Sequence, residues 1–395
     1  MVNRILQEVS KIRELSVVRP VPASVKTRPQ IEKFVSGEIE RQASGNEIHA
    51  ADLYLTQLGL APKNFNLRAS YTSLMGEQIA GFYDSRTRSF TTSDRVRPAE
   101  LETVMAHELT HALQDQHFGL GKMDKQPKHE SDSHLAYSAL VEGDATLTMT
   151  RYMTANPLRI FGNLASSLGS LGGDQMVELK KTPRILREGL EFPYLGGMKF
   201  VAQLQQRGGW AQVSKAFDRV PQSSQQILHF DKYLANKAPI KVEVPDVRRV
   251  LGSGWTLLDH DVNGELGLSV IASQNGNETE AKAAAEGWAG DRYAVYSGPK
   301  KGVLVIQDSV WDTGAAATRW RLAYAKRTGA RFGDKVKERR EGTLSVWNAA
   351  PDGVWMQQKG RRVVMIEGTV GAFDSKKVLA ALFPTSPSRP LLRGR

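Results

Sequence analysis

The chain has 395 residues, 41% of them hydrophobic, a net charge of +11 and no cysteine. That length and composition suit two globular domains and exclude a fibrous or largely disordered polypeptide. Without cysteine there can be no disulfide, thiolate ligand or cysteine nucleophile, so any transition metal must be held by histidine and carboxylate.

The positive charge, with a pI near 9.6, favours acidic substrates or surfaces at long range. It is scattered, with no Lys/Arg block interleaved with aromatics, so nucleic acid is not an expected partner. No run approaches the ~18 apolar residues that span a bilayer. At the N-terminus, MVNRILQEVSKIREL reads as an amphipathic helix, since Glu8 and Lys11 interrupt any signal-peptide core. Two locations stay open: the cytoplasm, or export under a signal that this chain does not carry.

In chain order, Ile5, Leu6, Val9, Ile12 and Leu15 stand at helical spacing and predict a helix over 1–19. Pro20, Pro22 and Pro29 then mark 20–30 as a linker or extended segment, followed by a second helical region from about Gln30 to Leu58. A hairpin is expected over Glu77 to Tyr83 and Arg88 to Thr92, around the turn Asp84-Ser85-Arg86. Pro98 suits a first helical position, and the helix it opens should stop at Gly119. After a polar loop over 122–130, a second long helix runs from about Ser133 to Ala155. A Gly/Ser-rich loop over 160–175 and helical segments over 184–235 come next. Beyond Pro239 the runs GLSVIA, RYAVYS, GVLVIQ, TLSVWN, GVWMQQ and RVVMIE read as strands, with helices near 278–288, 314–328 and 374–383. The tryptophans of this part, Trp288, Trp311, Trp320, Trp347 and Trp355, are expected in its core or at an interface.

The informative motif is HELTH, residues 107–111. Residues four apart share a helix face, so His107 and His111 can present ring nitrogens to one ion. Glu108 is turned about 100° from His107, out of easy ligating reach, and can serve as general base toward a water at that ion. A catalytic site needs a third protein ligand and an open position. Glu142 is the candidate: it falls on the apolar stripe Leu135, Ala139, Thr146, Met149, Met153 of the next long helix, where a carboxylate needs a cation. Gly143 beside it predicts close packing against another element. His117 is a rival ligand at metzincin spacing. That signature needs glycine three residues after its second histidine, and Gln114 stands there, so the helix should carry His117 away. Asp115, one turn after His111, is a candidate to orient a ligand or another site residue. Asp144 should point to another face.

AHELTHALQDQHFGL resembles the active-site helix of the thermolysin-like gluzincins, a group of zincin metallopeptidases. The resemblance covers roughly residues 76–155. It implies zinc as cofactor, a glutamate on the following helix as third ligand, which maps onto Glu142, and a peptide or protein as substrate. Many of these enzymes carry an acid four residues after that glutamate, where this chain has Thr146. Zincins set a strand alongside the substrate before this helix, and GEQIAGFYDSRTRSF is placed to supply it, with Gly81 and Tyr83 as substrate-binding candidates. For the oxyanion donor, Tyr83, His229 and Tyr233 are candidates, and the family's use of a downstream His or Tyr favours His229.

The expectation is therefore an α+β chain. An N-terminal helical segment (1–62) precedes a mainly helical zincin-like domain with a small edge sheet (63–240). An α+β accessory domain with a mostly antiparallel sheet (245–383), available to bind substrate or partner, and a flexible tail (384–395) follow. The expected activity is zinc-dependent peptide-bond hydrolysis. The alternatives are a zincin-like binding module without catalysis, or a zinc hydrolase acting on another amide such as cell-wall material.

Overall fold

The computed structural model describes residues 1–121, 127–155 and 182–383. Part of the loop expected over 122–130, the Gly/Ser-rich stretch 160–175 and the tail 384–395 lie outside them. In chain order the first elements are α1 (Val2–Arg13), β1 (Ala23–Lys26), α2 (Arg28–Gln42), α3 (Gly45–Gln57), α4 (Leu67–Gln78), β2 (Gly81–Asp84) and β3 (Ser89–Ser93). Then come α5 (Pro98–Phe118), α6 (Ser131–Thr154), α7 (Arg184–Ala216), α8 (Ser224–Leu228), α9 (Phe230–Leu234) and α10 (Arg248–Leu251). The remainder comprises β4 (Thr256–Asp261), α11 (Gly264–Ser273), α12 (Glu278–Ala285), β5 (Trp288–Gly298), β6 (Gly302–Trp311) and α13 (Gly314–Phe332). It closes with β7 (Arg339–Glu341), β8 (Leu344–Ala349), β9 (Asp352–Lys359), β10 (Arg362–Thr369) and α14 (Ser375–Leu382). The class is α+β.

Two units share these elements, and they do not follow the expected linear division. The first takes residues 1–42, 68–128 and 133–237; the second takes 43–67, 129–132 and 238–395. The helical region expected over 30–58 comprises two helices, parted at Ser44, which caps α3 by accepting from the Glu47 N–H while the Glu47 side chain returns to the Ser44 N–H. The break separates the two units: α2 belongs to the first and α3 to the second.

In the first unit, Ile5, Leu6 and Val9 of α1 are buried with Met105, Ala106, Leu109, Ala112 and Leu113 of α5. The i, i+3, i+4 spacing on both helices gives each one apolar face, and the two faces meet. Phe90 of β3 and Tyr152 of α6 close the same core. The sheet is three-stranded in the order β1-β3-β2. β1, within the segment expected as a linker or extended stretch, runs parallel to β3, and β2 pairs antiparallel with β3 and has no strand on its other side among the described residues.

The second unit is built on a seven-stranded sheet, order β4-β5-β6-β10-β9-β8-β7, with every pairing antiparallel. On one face Ala294, Tyr296, Leu304, Ile306, Val364 and Ile366 pack with Val378, Leu379 and Leu382 of α14. The alternate residues turn to α13, where Glu367 of β10 accepts from Tyr324, Arg327 (3.0 Å) and Arg331 (2.6 Å). Arg327 and Arg331 also donate to the carbonyls of Leu58 and Gln57 at the end of α3. These bonds tie residues 43–67 to the second unit. Trp288, Trp311, Trp320 and Trp347 are buried, while Trp355 is half-buried. In this unit one strand expectation fails: GLSVIA lies within helix α11, all of it buried except Gly267. A short apolar run buried almost all round carries no period that separates strand from helix.

Candidate metal centre

Helix α5 starts with Pro98 in its first turn and ends at Gly119, whose φ of 71° suits the left-handed cap. Its buried face points to α1, which leaves His107, Glu108 and His111 on other faces. Helix α6 brings Glu142 to them. His107 Nε2 lies 3.0 Å from Glu142 Oε2, His111 Nε2 lies 3.4 Å from the same oxygen, and the two ring nitrogens are 3.1 Å apart. Among the described residues this is the one group of three or more His, Asp or Glu side chains close enough to hold a metal ion.

A third helix completes the surroundings. A Cβ on Gly143 would come within 2.7 Å of Met198 N and nearer still to the Gly197 carbonyl; one on Gly197 would meet Ala139 C at 2.9 Å. Helices α6 and α7 therefore cross backbone to backbone, as only two glycines permit. The crossing carries Tyr194, three residues before Gly197, to the triad. Its ring stacks on His107 at 5.9 Å. The Glu142 carboxylate, then burial and Glu108, hold the Tyr194 phenol well above its usual range. The residue is nonetheless 44% exposed, so its ring is open to an incoming molecule.

Electrostatics follow from packing three charged or chargeable groups together. Burial opposes charge on Glu142, but His111 and His107 outweigh it and hold this carboxyl well below the usual range. Burial also opposes charge on His111, yet Glu142, with Glu108 and Gln114, pushes it up to about 9. On Glu108 burial wins: its pKa is raised despite the pull of His107 and His111. The Glu108 carboxylate accepts the Tyr83 backbone N–H at 2.8 Å, a donor on the side of β2 that no strand pairs among the described residues.

Behind His111 lies a buried polar chain. His111 Nδ1 is 2.8 Å from Gln114 Oε1, and Gln114 Nε2 donates to the Val141 carbonyl (2.9 Å) and to Asp144 (3.0 Å). Asp144 is also bound by Arg13 of α1, and both side chains are fully buried. Helix-face counting sends Asp144 away from the site, but the length of Gln114 spans that gap.

Other sequence candidates are placed elsewhere. α5 continues through Gln114, and His117 donates to the Ser16 carbonyl at 2.7 Å, away from the triad. Asp115 accepts from the Tyr83 hydroxyl (3.0 Å), Arg19 (2.8 Å) and Leu120 N (3.1 Å), so it holds Tyr83 and the helix end rather than a ligand. The Tyr83 hydroxyl is thereby bonded to Asp115, with its pKa pushed up to about 12 by burial and Asp115. Tyr233 donates to the Arg219 carbonyl. His229 sits half-buried between α8 and α9. The aromatic side chain that does lie against the triad is Tyr194. Gly81 is required by packing, since a Cβ there would meet Val104 at 2.9 Å and Thr91 O at 3.0 Å.

Sequence reasoning missed Tyr194, Gln114 and Arg13. Tyr194 had one available signal, the pair Gly196-Gly197 just after it in a helical stretch. Comparison with known proteins covers the other part of the chain. A family described as a domain of unknown function (DUF8575) matches residues 253–378, on the seven-stranded sheet and outside the triad. No curated protein matches the chain, and no solved structure matches it.

Proposed function

We propose that the protein is a zinc-dependent hydrolase of the gluzincin kind that cuts peptide bonds. The observation that carries the reading is the convergence of His107 Nε2, His111 Nε2 and Glu142 Oε2 at 3.0–3.4 Å, with Glu108 alongside and not among them. Ligand atoms of a tetrahedral zinc, bonded at about 2.0–2.1 Å, are roughly 3.3–3.4 Å from one another. The three atoms here lie on a circle of radius about 1.8 Å, so His107, His111 and Glu142 could all be bonded to one zinc ion. Two imidazoles and one carboxylate are the donor set of catalytic zinc, whereas magnesium and calcium prefer oxygen alone.

A zinc ion bound there supplies a Lewis acid for the scissile carbonyl and acidifies a water toward a pKa of about 7. Glu108, aimed by the Tyr83 N–H and made more basic by burial, takes the water proton and returns it to the leaving amine. The Tyr194 ring lies against His107 and its hydroxyl bonds Glu142, from where it can turn to donate to the developing oxyanion. The unpaired side of β2 next to Glu108 can take an extended peptide.

Zinc content and the Glu108→Gln variant test this. The protein should bind one equivalent of zinc, and the variant should keep the metal while peptide hydrolysis falls roughly a hundredfold or more, the scale of a lost general base. Unchanged turnover in the variant removes Glu108 as the base. A zinc-loaded wild type that cuts no peptide or protein favours a binding module instead.

A further inference from the structure

The chain behind His111 assigns a role to residues that touch no ion themselves. Gln114 is fully buried and its amide has three partners. Two of them, the Val141 carbonyl and the Asp144 carboxylate, can only accept hydrogen bonds. Both must therefore face the amide NH2, because the flipped amide would set its oxygen against two acceptor oxygens. The amide oxygen is then fixed toward His111 Nδ1, which can approach it at 2.8 Å only as a donor. A histidine whose Nδ1 carries the proton presents the lone pair of Nε2, and Nε2 is the atom that meets His107 and Glu142. Asp144 is itself immobilised by Arg13, which also donates to Ser214 and lies over the Trp210 ring at 4.7 Å.

We propose that Gln114 is a positioning residue, which Asp144 and Arg13 lock so that His111 is held as the Nδ1–H tautomer with Nε2 turned to the metal. The inference rests on the metal reading of the triad and extends it from α5 and α6 to the N-terminal helix. An apolar residue at 114 leaves the His111 ring free to rotate and to adopt the other tautomer. Loss of such outer partners typically weakens metal binding about 10–100-fold.

The test uses the full chain stripped with a chelator and titrated with zinc against a chromogenic competitor. Gln114→Leu should bind zinc about 10–100-fold more weakly than wild type. Cobalt(II) in the same site should change its visible absorption in the variant. A residue that merely fills space would lower the melting temperature of the metal-free and zinc-loaded forms alike, with zinc affinity and cobalt spectrum unmoved; that result overturns the proposal. Gln114→Met, unbranched and of similar length, serves if the leucine variant does not fold. One readout needs no variant at position 114: in the zinc-loaded wild type labelled with 15N-histidine, with His111 assigned from the spectrum of His111→Ala, the Nδ1 of His111 should carry the proton. A proton on Nε2 overturns it. The two readings fail separately: a wild type without affinity for zinc sinks the metal centre and this chain with it, whereas unaltered affinity at position 114 sinks only the chain.

Discussion

Replacing Gly143 by alanine puts the helix crossing to a test whose sign is diagnostic. In an exposed helix interior this change is stabilising by about 1 kcal/mol, because alanine is the better helix former. Here the new methyl would sit 2.7 Å from Met198 N and closer to the Gly197 carbonyl, all backbone atoms that no rotamer change can clear. Ordinary carbon contacts lie at about 3.5–4.0 Å, so α6 and α7 would have to separate by about 1 Å. Overpacking of this kind costs about 1–3 kcal/mol, and with rigid neighbours the upper end applies. After the propensity gain the net loss is about 2 kcal/mol, or roughly 4–8 °C in melting temperature for a unit of this size. The separation moves Tyr194 on α7 but leaves His107, His111 and Glu142 on α5 and α6. Zinc stoichiometry should hold while kcat falls, on the order of a hundredfold for a misplacement of about 1 Å. Calorimetry, metal analysis and peptide hydrolysis on one preparation separate these effects. A melting temperature equal to or above that of wild type would refute the close crossing.

Three further outcomes follow from the same geometry. Glu142→Ala should weaken zinc binding far more than His117→Ala, since His117 is bonded to the Ser16 carbonyl; the opposite ranking in a chelator competition would reject the ligand set. Tyr194→Phe keeps the ring on His107 and removes only the hydroxyl, so kcat should fall by about 10²–10³-fold, the usual scale for one oxyanion donor, while one equivalent of zinc still binds; full activity would exclude it. In chelator-treated protein the pair His111 and Glu142 should make stability depend on pH. The folded His111 pKa, near 9, exceeds its ordinary 6.5, so its contribution is full below about 6.5 and is lost as pH rises through about 9. Glu142 is depressed, so its share is present above about 4.5 and lost on acidification. The melting temperature should peak between those limits and decline toward pH 9, and His111→Ala should flatten that decline.

What the sequence by itself determined is local. HELTH lies on a helix bounded by Pro98 and Gly119, and the four-residue step alone places His107 and His111 on one face. Glu142 is legible for a related reason: a carboxylate in the apolar stripe of a helix asks for a cation. The antiparallel sheet of the second unit was readable from its runs of β-branched and aromatic residues, except where GLSVIA, buried almost all round, has no period to betray a helix. The tertiary structure decided what depends on pairs far apart in the chain. Arg13 and Asp144 are 131 residues apart, and no spacing rule joins them. Gln114 reads as an ordinary helix residue until Val141 and Asp144 stand opposite its amide. Tyr194 becomes a site residue only because Gly143 and Gly197 let two helix backbones touch. Residues 43–67 join the second unit because the carbonyls at the end of α3 accept from arginines of α13. Helical periodicity is a property of neighbours within a turn or two, whereas these contacts are set by which faces pack, and that choice is made by the whole chain.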